Sequence, residues 1–103
     1  MSLNDLETQR KRLQRLRVLQ TLNMNRPNDM GDGLIKSVLK HDVDLAFTQG
    51  NIRNSLDYLA MRELVEITTR GAEVWLAKIT ANGVDYLDGL GKDIEGVARP
   101  DEF

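Results

Sequence analysis

The spacing of apolar residues switches from helical to strand-like at Glu63 in this 103-residue chain, and the switch limits the folds that it can adopt. Before Glu63 the apolar positions recur every three to four residues, as on the buried face of a helix. After it they recur at every second residue, which is typical of a half-buried strand. We therefore predict one mainly α domain with a small β-hairpin, because a chain of this length can bury one core.

Three helical patterns precede the switch. Residues 3–23 hold no Gly or Pro and predict one long helix that begins near Ser2 or Asn4. A second helix spans about residues 32–42, and a third begins at Thr48, a favourable N-cap residue. The side chains expected to face the core are Leu34, Ile35, Val38 and Leu39 in the second helix, and Ile52, Leu56 and Leu59 in the third.

A two-stranded hairpin and a closing helix are expected after the switch. The turn falls at Arg70-Gly71, and the helix spans about residues 81–90 with Thr80 as its N-cap. Residues 92–103 have no clear period, so we expect an extended or disordered tail outside a domain of residues 1–91. The predicted inward positions are Leu64, Ile67 and Thr69, then Val74, Leu76 and Ile79, and in the helix Val84, Leu87 and Leu90.

Two segments resemble parts of the winged helix-turn-helix superfamily. Residues 51–67, NIRNSLDYLAMRELVEI, are similar to the segment in which a Leu-x-x-Leu recognition helix runs into the first wing strand. Residues 79–87, ITANGVDYL, are similar to the Ile-Thr-x-x-Gly-x-x-Tyr-Leu motif that often follows the second wing strand. The resemblance implies three helices, a two-stranded wing and a C-terminal helix, here with an extended first helix.

The C-terminal residues 96–100, GVARP, narrow the resemblance to small winged-helix proteins of Mu-like phages and prophages. Those proteins pair such a domain with a Gly-Val-basic-Arg-Pro tail, and the resemblance implies DNA binding or regulation in a phage setting. Two residues depart from the pattern, since Ala98 replaces the basic residue and Glu63 replaces a common Gly. We expect Glu63 either to bear a modest backbone strain or to leave the third helix by a different turn.

The composition excludes several kinds of site. The chain has no cysteine, which rules out disulfides, thiolate nucleophiles and cysteine-bound metals, and His41 is its one histidine. No nucleophilic triad, phosphate loop or paired-carboxylate arrangement appears in the sequence. We predict a non-enzymatic protein with no metal, cofactor or evident small-molecule ligand. The longest apolar runs are four residues, so we expect no membrane span and a cytoplasmic protein.

The charge is divided unevenly along the chain. Residues 1–27 carry six basic and two acidic residues, whereas the remaining residues carry eight basic and fourteen acidic ones. The positive charge is concentrated in the first helix, within residues 10–17. The net charge of −2 argues against a protein that coats nucleic acid by bulk attraction.

Candidate DNA contacts lie in three places. In the third helix they are Gln49, Asn51, Arg53 and Asn54, because Asn pairs with adenine and Arg with guanine. Arg70 at the hairpin tip is placed to reach a minor groove or a phosphate, whereas Asp57 on the third helix opposes DNA binding. The candidate phosphate contacts of the first helix are Arg10, Lys11, Arg12, Arg15 and Arg17.

The basic helix has three interpretations, which the sequence leaves open. It is a solvated helix whose basic stems cover apolar surface, an arm that contacts phosphates, or a helix that binds a partner. Leu6, Leu13 and Leu16 lie on one side of its helical wheel, roughly opposite Val18, Leu19 and Leu22. One side is expected to stay exposed, which predicts a homodimer through this helix. The two functional hypotheses are therefore site-specific binding of double-stranded DNA in a regulatory role and a protein-interaction or dimerisation module.

Overall fold

A computed structural model describes residues 2–102 of the chain. Within this range the fold is mainly helical, with four α-helices and a small three-stranded antiparallel sheet, as the change in apolar spacing predicts. The elements are α1 (Leu3–Met24), β1 (Met30–Gly31), α2 (Asp32–Leu39), α3 (Gln49–Met61), β2 (Val65–Arg70), β3 (Trp75–Ile79) and α4 (Ala81–Leu87), with 3-10 turns at Val43–Leu45 and Pro100–Glu102.

The first helix begins at the residue that the sequence indicates and forms the centre of the fold. Ser2 caps α1, since its hydroxyl accepts the Asp5 backbone N–H and the Asp5 carboxylate accepts the N–H of Ser2. The prediction that one apolar side of α1 stays exposed holds only at Leu6, which is 45% exposed. The chain itself buries the residues of both sides over the second half of the helix, namely Leu16, Val18, Leu19 and Leu22. No apolar stripe exposed along the length of α1 is therefore present among the described residues to support a homodimer.

The second and third helices differ in how well their apolar stripes were predicted. In α3 the whole predicted stripe, Ile52, Leu56 and Leu59, is buried. Helix α2 is shorter than predicted and buries only Ile35 and Leu39 of its four apolar candidates, while Leu34 and Val38 are exposed. A narrow stripe suffices for α2 because it packs on α1 and α3 along one edge.

The sheet contains a strand that the sequence did not predict. Strand β1 pairs with β3 through Met30 and Ala77, which gives the strand order β1-β3-β2 instead of a two-stranded hairpin. A break in the register between Ile67 and Thr69 shifts the pairing of β2 and β3. On β3 the buried residues are Ala77 and Ile79. Val74, just before β3, and Thr69 of β2 are exposed, so the predictions that these two residues face inward are wrong.

Two helices end with the same backbone geometry. After α3, Glu63 adopts φ +61°, and the N–H groups of Glu63 and Leu64 donate to the carbonyls of Ala60 and Leu59. The strained alternative expected for Glu63 is therefore the one observed. After α4, Gly89 takes the corresponding position with φ +79°, so this helix ends three residues earlier than predicted and Leu90 is exposed.

The C-terminal segment of residues 92–102 is anchored on the core at two residues and is not a free tail, while most of its other residues are exposed. Val97 and Ala98 are 1% and 0% exposed. The Tyr86 hydroxyl donates to the carbonyl oxygens of both residues at 3.0 Å. The Ala98 N–H donates to the Arg12 carbonyl oxygen of α1 at 3.1 Å. The segment therefore closes the fold over α1 and α4.

Candidate nucleic-acid interface

The outward face of α3 is fixed by the residues that the helix buries. Thr48 caps the helix by accepting the Asn51 N–H, and the buried stripe sets the rotation of the helix on the core. The residues on the opposite face are Gly50, Asn54, Asp57 and Met61. This face carries a carboxylate and no cation, so it is a poor match for a phosphate backbone.

Two predicted base contacts, Gln49 and Arg53, bind an internal carboxylate instead. Asp32, the first residue of α2, is 1% exposed, and its Oδ2 accepts from Arg53 Nε at 2.7 Å and from Gln49 Nε2 at 3.2 Å. Its Oδ1 accepts the backbone N–H groups of Gly33 and Trp75, each at 3.1 Å. These bonds join α2, α3 and β3, and they remove Gln49 and Arg53 from the outward face of α3.

The ionised form of Asp32 is held by this network. Burial opposes ionisation of the carboxyl group, but the hydrogen bonds from the Trp75 N–H and from Arg53 outweigh it. The pKa of Asp32 is therefore lowered from its ordinary value. A carboxylate that is charged, buried and paired makes this a structural site of the fold.

Arg70 lies on the hairpin as predicted, and it turns toward α3. Its Nη1 donates to Asp57 Oδ1 at 2.5 Å, and its guanidinium carbon lies 4.7 Å from the centre of the Trp75 ring. Both members of this ion pair are about half exposed. Exposed pairs contribute up to about 1 kcal/mol, so Arg70 can leave Asp57 at low cost.

The predicted phosphate contacts of α1 fall into two groups. Three of them form ion pairs with carboxylates of the same chain: Arg10 with Glu7, Arg12 with Glu102, and Arg17 with Asp42. In the described part of the chain, Lys11 and Arg15 form no such pair. The basic residues of α1 therefore serve mainly to bind the domain's own acidic groups, and two of them keep their charge uncompensated.

These two cations line a groove between α1 and α3, called here the α1–α3 groove. Lys11 and Arg15 are joined by the predicted contacts Asn51 and Asn54, and no residue that lines the groove within residues 2–102 carries a carboxylate. The remaining lining residues are Gln14 and Ser55. The fold thus brings together candidates from two separate parts of the sequence and surrounds them with amide and hydroxyl groups.

A stack of three side chains continues the positive surface along α3. The Tyr58 ring lies between two guanidinium groups, with Arg15 3.5 Å and Arg62 3.4 Å from its centre. Burial lowers the pKa of Arg15, and nearby Arg62 adds to that effect while Tyr58 opposes it. Arg15 Nη1 also donates to the Gly96 carbonyl oxygen at 2.8 Å, which fixes its position beside the groove.

The sequence reasoning missed Tyr58, Arg62 and Ser55 as members of this surface. Their signal is a polar set at intervals of four, three and four residues, Asn51, Ser55, Tyr58 and Arg62, which places them on one flank of α3. The sequence alone does not show which flank of α3 lies beside α1. Only the packing of α1 shows that this flank matters.

Other kinds of site find little support in the described residues. Among residues 2–102, no group of three or more His, Asp or Glu side chains is placed to hold a metal ion. No helix in that range is both long and apolar enough to cross a membrane.

Comparisons with known proteins returned no relative. No protein-family model, curated protein or solved structure matches the chain. The proposed function is therefore inferred from the geometry and charge of the residues described above.

Proposed function

We propose that this chain is a non-catalytic winged helix-turn-helix protein that binds double-stranded DNA in a regulatory role. The element order supports the winged-helix part of the proposal, because α2 and α3 are followed by the hairpin β2-β3 and by α4. The pairing of a short β1 with β3 and the contact between Arg70 and α3 also suit a wing beside a recognition helix. The phage or prophage setting is an expectation from the resemblance alone.

The α1–α3 groove carries the DNA part of the proposal. Lys and Arg bind phosphate oxygens, and Asn, Gln and Ser side chains donate to the same oxygens. Lys11 and Arg15 supply the charge, and Asn51 and Asn54 line the same space from α3, with Asn51 Nδ2 also donating to the Ala46 carbonyl oxygen at 3.0 Å. In this arrangement the DNA backbone lies along α1, and the edge of α3 with Asn54 faces the bases.

The affinity expected from this surface is modest. Lys11, Arg15 and Arg62 neutralise three phosphates, which corresponds to a slope of about −3 in log K against log salt concentration. The acidic outward face of α3 adds nothing to that attraction. Regulation at a specific site then requires base contacts or a second DNA-bound copy.

A titration of a labelled duplex at several salt concentrations tests the proposal. Lys11→Ala should weaken binding and reduce the salt slope by about one, because one phosphate contact is lost. Lys40→Ala, which removes an equal charge from the end of α2, is the matched control and should leave the slope unchanged. Failure of the wild type to bind any member of a randomised duplex pool at low salt would reject DNA binding.

A protein-interaction module is the second candidate, and the exposed apolar side chains favour it. Met61 is 82% exposed on the outward face of α3, and Leu3 at the start of α1 is 81% exposed. In this version a partner covers α3, and a homodimer through α1 would have to form at Leu3 and Leu6. Light scattering on the intact chain and on a Leu3→Gln, Leu6→Gln variant tests the dimer, and a monomer in both cases rejects it.

A further inference from the structure

The last turn of the described chain supplies an anion to the basic helix. Both carboxylate oxygens of Glu102 accept from Arg12 Nη2, at 2.9 and 3.0 Å. Glu102 also accepts the Arg99 backbone N–H at 3.2 Å, which closes the turn at residues 99–102. The carboxylate thus lies where a phosphate oxygen would lie if Arg12 contacted a nucleic-acid backbone.

Arg12 borders the same positive surface as the α1–α3 groove. A surface depression between α1 and the C-terminal segment is lined by four cations, Lys11, Arg12, Arg15 and Arg99, and by three carboxylates, Asp93, Glu95 and Glu102, with Tyr58 beside them. Lys11 and Arg15 belong to both surfaces. Release of Arg12 from Glu102 would therefore extend the free positive charge of α1 by one more cation.

The turn can open without loss of the core. Val97 and Ala98 anchor the segment before the turn, through burial and through the Tyr86 hydroxyl. The Arg12 and Glu102 side chains keep 22% and 35% of their surface exposed, so water already reaches the pair. Separating the pair moves four exposed or half-exposed residues and disturbs one further exposed ion pair, between Arg99 and Asp93.

We infer that the C-terminal turn of residues 99–102 is an autoinhibitory contact, in which Glu102 competes with DNA phosphate for Arg12. The inference rests on the proposed DNA binding and adds a form of regulation to that site. In the closed form α1 presents two free cations beside α3, and in the open form it presents three. DNA gains the third contact only in the open form, and in the wild type the Arg12–Glu102 pair opposes that contact.

Neutralising Glu102 tests the inference directly. The Glu102→Gln variant should bind a labelled duplex about threefold to fivefold more tightly than the wild type, since the competitor lost is a single solvent-exposed ion pair. Its salt slope should be steeper by about one, because Arg12 becomes available for a phosphate. Glu73→Gln, in the hairpin turn, makes the same change in net charge and should have a smaller effect on affinity and no effect on slope.

The double variant Arg12→Gln, Glu102→Gln separates the specific contact from a general charge effect. The gain from Glu102→Gln should disappear in the Arg12→Gln background. If the wild type binds DNA and Glu102→Gln matches it in affinity and slope, the autoinhibitory contact is rejected while DNA binding stands. If Glu102→Gln and Glu73→Gln gain equally, the contact is rejected as well. Absence of binding by every variant at low salt overturns both proposals.

Discussion

Replacement of Asp32 by Ala is the substitution with the largest predicted effect on this fold. Asp32 accepts four hydrogen bonds, which come from Gly33, Gln49, Arg53 and Trp75. Its removal leaves the Arg53 guanidinium without its only carboxylate partner among the described residues. The change therefore tests whether one buried side chain joins α2, α3 and β3.

The magnitude follows from the burial of the pair. Removing one partner of a buried ion pair costs about 3–5 kcal/mol. Arg53 retains 21% of its side-chain surface, so water compensates part of its charge, and we expect a loss of about 3 kcal/mol. For a domain of this size that loss lowers Tm by roughly 12–24 °C. Asp32→Asn keeps an acceptor for the two backbone N–H groups and should cost about half as much.

Urea unfolding followed by circular dichroism measures these values, with Trp75 fluorescence as a local probe of the same site. Asp44→Ala is the matched control, because Asp44 is exposed and its loss should change stability by less than about 0.5 kcal/mol. An Asp32→Ala variant within about 1 kcal/mol of the wild type would refute the role given to this network.

The same network predicts a dependence on pH. The pKa of Asp32 is lowered in the folded protein, so its ionised form contributes stability above the ordinary pKa of about 4. That contribution is lost as the pH falls through the lowered value. The stability difference between the wild type and Asp32→Asn should be constant near neutral pH and shrink below about pH 4. A difference that grows in acid would contradict this assignment.

Four further substitutions test the backbone and the tail. Gly83→Ala should destabilise the fold by about 1–3 kcal/mol, because a Cβ there would lie 2.2 Å from the Leu64 carbonyl oxygen. Gly33→Ala should stabilise the fold by about 0.5–1 kcal/mol, because a Cβ there meets open space. The urea midpoints of the two variants measure the difference. Glu63→Gly should stabilise by about 0.5–1 kcal/mol, since relief of the left-handed strain exceeds the added unfolded-state entropy, and a lower urea midpoint would contradict it. Tyr86→Phe should cost about 1 kcal/mol and speed proteolysis of the C-terminal segment, and unchanged cleavage would contradict the anchoring role.

The sequence predicted those elements whose signals are local. The N-caps Ser2, Thr48 and Thr80 each accept the hydrogen bond expected of them, and the stripe of α3 is buried as its spacing indicates. The unusual residue at position 63 was also recognised. The family that the segment resembles commonly has Gly there, and Gly suits the left-handed conformation that Glu63 adopts. Caps, stripes and turns depend on residues a few positions apart, so the local sequence is enough to predict them.

The failures concern contacts between distant residues. Strand β1 is two residues long and is defined only by its pairing with β3, so it has no period of its own. The tail lacks a period for the same reason, yet Val97 and Ala98 are buried by α1 and α4. One apolar side of α1 was predicted to face solvent, because the sequence does not show that other elements of the fold pack around this helix.

The candidate site was predicted in parts and assembled by the fold. Lys11, Arg15, Asn51 and Asn54 were each named from the sequence, but their meeting in one groove depends on how α1 packs against α3. Arg53 has the residue type of a base contact, and its actual partner is a carboxylate 21 positions away. Side-chain chemistry indicates what a residue can bind, whereas tertiary packing decides what it meets.

The central claim is that DNA binds in the α1–α3 groove, and a two-dimensional NMR titration with a short duplex at low salt tests it most directly. The account predicts that the side-chain amide signals of Asn51 and Asn54 shift together with the backbone signals of Lys11 and Arg15, and that added salt reverses the shifts. Shifts confined to Arg70 and the hairpin, or no shifts at low salt, would contradict it.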